Sequence, residues 1–160
     1  MMESLNAIRS LGLAPVFEDL YFGRKVPGDI GLYLRYPDMF RNATDAPEGP
    51  LTAAGLVPIV ADGNGDTVCF YDPRSSTFVL KSIEEPEQVE RQFASWQQYL
   101  AYRLLEIADS GASDEEVAEV ALATAFTRTE ELLELLEEME SLTDQQVERR
   151  TGQFIEDCKG

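Results

Sequence analysis

The sequence predicts an α+β fold: an antiparallel sheet meander packed by helices, followed by an acidic helical C-terminal region. Three observations carry that reading. Residues 56–81 hold three apolar segments with a period of two, separated by short turns. From Phe93 onward the apolar spacing changes to steps of three and four. Charge shifts at nearly the same place. Residues 1–82 carry ten acids against seven bases, and residues 83–160 carry twenty acids against six.

In chain order, "MESLNAIRSLG" spaces Leu5, Ile8 and Leu11 as one face of a short helix, with Gly12 placed to end it. Pro15, Gly23, Pro27 and Gly28 then break up the pattern, and the stretch reads as irregular. "DIGLYLRY", residues 29–36, alternates Ile30, Leu32, Leu34 and Tyr36 against Tyr33 and Arg35, which predicts a half-buried strand. "PDMFRNATDAPEGPLTAAG" is rich in proline and glycine and reads as mostly loop. Strands follow at 56–61 and 67–71, with Val68 and Phe70 on one face and Thr67, Cys69 and Tyr71 on the other. "DPRSS" turns the chain into a third strand, Thr77–Lys81.

The helix that follows carries Phe93, Trp96, Leu100, Leu104 and Ile107 on one stripe. Ser95 with Gln98 gives it a capping-box start, and Ser110-Gly111 a stop. Trp96 stands at its first turn, where its ring can close over the sheet as a core residue. The same capping spacing recurs at Ser113/Glu116, Thr127/Glu130 and Thr143/Gln146, so residues 113–160 read as two or three further helices. Leu132, Leu133, Leu135, Leu136 and Met139 supply a buried face, and Glu130, Glu131, Glu134, Glu137, Glu138 and Glu140 crowd the rest. The expected division is an α+β domain over 1–112 and an acidic helical extension over 113–160, packed on the same domain. The leucine density also suits helix–helix packing across a homodimer.

The stretch "VADGNGDTV" admits three readings. Asp62, Asn64 and Asp66 occupy positions one, three and five of an EF-hand-like calcium loop, but position six is Thr67 and position twelve is Pro73. A phosphate cradle needs glycines that open a helix, and these open a strand beside two acids. A turn needs only backbone geometry: Asn64-Gly65 at positive φ, with Gly63 giving room for a bulge or a longer loop. The turn reading is preferred, with no metal and no cofactor.

A formal charge of −17 repels nucleic acid and anionic lipid and attracts a basic protein partner. The chain contains no histidine, which removes the commonest general base and the usual nucleophile pairs, so the expectation is a non-enzyme. No apolar run reaches the roughly 20 residues of a membrane span, and the first residues do not read as a signal peptide. The two cysteines give no disulfide framework, and the expected location is cytoplasmic.

"GLVPIVADGNGDTVCFYD", a third strand and then "FASWQQYLAYRLLE" resemble the SUKH superfamily, the Smi/Knr-like proteins. The first element is Leu56–Asp72, and the second is Ser95-Trp96 with Tyr99 and Leu100; together they cover roughly residues 31–108. Two departures are the lack of a clear Leu-Pro-opened first helix within 1–30 and the acidic helices after Ser110. The resemblance implies an α+β fold without catalytic residues, and a role in binding proteins, including toxin neutralisation by immunity proteins. On this reading the partner is a basic toxin domain, met by the turn acids Asp62, Asp66, Asp72, Glu84, Glu85 and Glu87. The alternative is a small acidic secretion chaperone that dimerises through its helices and holds an effector.

Overall fold

The computed structural model describes residues 2–41 and 55–159. It is an α+β protein whose contacts divide into two compact units, Met1–Ala94 and Ser95–Gly160. The division falls before the first long helix, whereas the sequence pattern places a boundary after it, at 112/113.

The first unit opens with α1 (Met2–Ser10) and α2 (Pro15–Phe22). The latter corrects the irregular reading of this stretch. Pro15 is at the first helical position, where its missing N–H costs nothing, and Gly23 closes the helix with φ 70°. Residues read as helix breakers are in fact its start and stop. Val16, Phe17 and Leu20 give α2 its buried face.

The expected strand over 29–36 is also corrected. Ile30–Tyr33 is a helical turn, α3, and only Leu34–Arg35 is strand, β1. Ile30 and Leu34 are buried while Leu32 is 68% exposed. Spacings of two and four coincide in such a short run, and burial at i and i+4 selects the helical turn. Asp38–Arg41 forms a further turn, α4. The rest of the expected loop, 42–54, lies outside the described residues.

Strands β2 (Val57–Asp62), β3 (Thr67–Asp72) and β4 (Thr77–Ser82) form the expected antiparallel meander. With β5 (Arg91–Phe93) they make a five-stranded sheet in the order β1-β2-β3-β4-β5. Phe70 pairs with Val79 on one face, and Cys69 pairs with Leu80 on the other. A bulge between Pro58 and Val60 shifts the β2 register. One core cluster gathers Tyr36, Phe40, Ala61, Val68, Phe70 and Val79, all buried. Tyr21 meets Tyr36 edge-on at 5.0 Å, and Phe40 meets Phe70 at 6.0 Å. The Tyr36 hydroxyl is satisfied by Ser4 at 2.9 Å.

The second unit comprises α5 (Trp96–Asp109), α6 (Asp114–Ala123), α7 (Thr129–Met139) and α8 (Asp144–Asp157). Helix α5 packs against both α6 and α8, and α6 against α7. Tyr99, Leu100, Leu104, Ile107, Val117, Val120, Leu132, Leu135 and Phe154 are buried in this unit. Ser113/Glu116 and Thr143/Gln146 form complete capping boxes. Thr127/Glu130 does not cap a helix. Arg128 is the N-cap of α7, and Thr127 instead meets Gln97 Oε1 through its backbone N at 3.0 Å and its hydroxyl at 3.3 Å. No helix among the described residues is long and apolar enough to cross a membrane.

Candidate partner-binding surface

The β2–β3 connection turns the chain with a four-residue loop. Gly65 N donates to Asp62 O at 3.0 Å. Gly65 has φ 77°, while Asn64 stays outside the left-handed region, which corrects the expectation of positive φ at both. Gly63 is fixed by proximity, not by φ: a Cβ there would lie 1.7 Å from the carbonyl oxygen of Leu32. The Asp62 carboxylate accepts from Asp66 N at 2.8 Å and Thr67 N at 3.3 Å. It therefore serves the loop's own backbone.

Asp72 has the same role at the next turn. It is buried and accepts from the Arg74 backbone N–H at 3.0 Å and from the Arg74 guanidinium. The Arg74 side-chain bond, helped by its backbone N–H, holds the Asp72 carboxyl below its ordinary range.

The six candidate acids do not form one patch. Thr67 pairs with Ser82, and Ile83 N donates to Asp66 O at 2.9 Å, so the β2–β3 turn and the segment after β4 share one end of the sheet. Asp62, Asp66, Glu84, Glu85 and Glu87 gather at that end, and Asp72 pairs with Thr77 at the other. Asp66, Glu84, Glu85 and Glu87 are exposed. Glu84–Gln88 line a shallow concavity of about 340 Å³.

In the second unit Ser95 is the N-cap of α5. Its hydroxyl accepts from Gln98 N at 3.2 Å and donates to Cys158 O at 3.0 Å, while Gln98 Nε2 donates to Glu156 O. Ser95 thereby joins the start of α5 to the end of α8. Trp96 follows at the first helical position, half-buried, its ring 5.0 Å from that of Tyr99.

A second acidic surface lies where α7 faces α8. Arg150 of α8 pairs with Glu138 of α7 at 3.0 Å, and Arg128 pairs with Glu131. These bonds hold the carboxyls of Glu131 and Glu138 below their ordinary range. With Glu134, Leu135, Phe154 and Asp157, the pairs line a groove of about 200 Å³. Sequence reading treats this charge run as a solvated helix face and misses the groove. The Arg150–Glu138 pair spans twelve residues and two helices, so no local pattern announces it.

Among the described residues, no group of three or more cysteine, aspartate or glutamate side chains is placed to hold a metal ion. The Cys69 thiol is buried and its pKa pushed well up by desolvation. Among the described residues the arrangement offers carboxylates in quantity, bound to their own backbone, paired with arginine or open to solvent. Compared with known proteins, the chain matches no family model, no curated protein and no solved structure.

Proposed function

We propose that this protein is a non-catalytic protein-binding module, an immunity protein that binds and neutralises a basic toxin domain. The observation that carries the reading is the excess of exposed carboxylate. Residues 95–160 hold sixteen acids against five bases, and two of those bases, Arg128 and Arg150, are already paired within the unit. An acidic inhibitor meeting a basic enzyme gains association rate by steering and can occupy the site that enzyme keeps for phosphate. The likeness of Leu56–Asp72 and Ser95–Leu100 to the SUKH pattern is the sequence support for the same reading.

The test is growth rescue. The chain is co-expressed with the protein encoded beside it, and the pair is then purified together. Rescue from a toxic neighbour with a stable complex is the expected result. A harmless neighbour that becomes soluble or secreted only with this chain overturns it in favour of a secretion chaperone. That second reading has its own observation: Leu133, Leu136 and Met139 of α7 remain only half-buried, which suits a homodimer. Sedimentation of the free chain separates the two, since the chaperone reading requires a dimer lost on mutating this stripe.

A further inference from the structure

We propose that the outward face of α7 is the docking surface for a basic amphipathic helix of the partner; this deepens the reading above and rests on it. Leu132 and Leu135 face the core of the helical unit. Spacings of three and four put Glu130, Leu133, Glu137 and Glu140 on one outward stripe, with Glu134 on one flank and Leu136 on the other. The four glutamates are exposed and the two leucines half-buried. The face is thus a mainly anionic stripe interrupted by Leu133, with Leu136 along one edge.

The placement of these acids is costly to α7 itself. Glu130 and Glu134 are like charges at i and i+4, as are Glu134 and Glu138. The last turn has no basic residue, and Glu137, Glu138 and Glu140 sit at the negative end of the helix dipole. Arg150 relieves Glu138, and Arg128 relieves Glu131 on the flank toward α8. Solubility requires acids on the surface, but not at this end of this helix. A cationic helix laid along the stripe removes the repulsion and covers the two leucines. A second copy would bring the same glutamates face to face, and nucleic acid or anionic lipid would be repelled. Charge therefore selects a partner helix carrying a row of lysine or arginine beside an apolar edge.

The experiment titrates the isotope-labelled full chain with a synthetic amphipathic lysine–leucine helix and follows backbone amide shifts. A glutamate–leucine helix serves as the control. Shifts centred on residues 129–140 are expected, with affinity lost by about tenfold or more, the equivalent of about 1.4 kcal/mol, in the E130Q/E134Q/E137Q variant. This variant removes two like-charge pairs and the Glu137 charge at the negative helix end, against one favourable first-turn charge at Glu130, and a melt run alongside separates a folding defect from lost binding. L133S should weaken binding as well, which charge attraction alone would not require. Shifts centred on Asp66 and Glu84–Glu87, binding unchanged by the triple variant, or self-association through α7 would each overturn the proposal. Growth rescue that persists in the triple variant would remove this face and leave the inhibitor reading standing. Failed rescue by the parent chain, with the peptide still mapping to α7, would do the reverse.

Discussion

Gly63 and Gly65 lie two residues apart in one turn and are constrained by different physics. Gly65 is in the left-handed region, which costs an ordinary L-residue about 1–2 kcal/mol but which asparagine tolerates. Gly63 faces the Leu32 carbonyl, so any Cβ forces backbone to move. Gly63→Ala should therefore lower stability by about 1–3 kcal/mol, and Gly63→Asn should be no better. Gly65→Asn should cost less than about 1 kcal/mol. Denaturant titration of the variants checks the order. Asp72 makes a pH prediction. Its folded-state pKa is depressed by Arg74, so the stability it contributes is present above the unfolded carboxyl value of about 3.9. That contribution is lost as pH falls through the folded value. Asp72→Asn should flatten the acid limb of the stability–pH curve below about pH 4, with little change in slope near neutrality. An unchanged acid limb would show that the Arg74 contact does not hold in solution.

At the scale of elements, the capping motifs separate what a local pattern can and cannot announce. Ser95, Ser113 and Thr143 all cap the helices their spacing predicts. Thr127 has the same spacing but spends its N–H and hydroxyl on Gln97 of α5. Ser95→Ala should cost about 1–2 kcal/mol, since it removes a cap and the bond to Cys158 O. Thr127→Ala, at an exposed position, should stay within about 0.5 kcal/mol. Thermal melts of the two variants make the comparison. The meander was legible because three strands of period two with short turns leave few alternatives. Helix α2 is hidden from the pattern because Pro15 and Gly23 read as breakers while they stand at the two positions a helix prefers for them. The 29–36 stretch does not form the strand its alternation predicts, because four alternating residues fit a helical turn as well. The role of Asp62 as the loop's backbone acceptor was invisible, since acids at turns look alike until their acceptors are placed. The α7–α8 groove is hidden from a local reading because its Arg150–Glu138 pair forms only across two helices.

Across the whole molecule, the charge of −17 acts in two directions that salt can separate. Residues 1–94 carry fourteen acids against eight bases, and residues 95–160 sixteen against five, so both units are negative and the helical one more so. Self-repulsion works against compactness over distances set by the Debye length, about 30 Å in 0.01 M salt and about 10 Å in 0.1 M. Raising salt across that range should therefore raise the melting temperature of the free protein. The attraction that steers a basic partner is screened by the same ions, so the association rate should fall steeply over the same range while dissociation changes little. Stability and association must then move in opposite directions with one variable. A melting temperature insensitive to salt would mean that the acids are too well dispersed to repel. An association rate insensitive to salt would mean that the acidic surface keeps the protein soluble without guiding its partner. Calorimetric melts and stopped-flow association, run in the same buffers on the chain and on the E130Q/E134Q/E137Q variant, give both slopes, and the variant should flatten each of them.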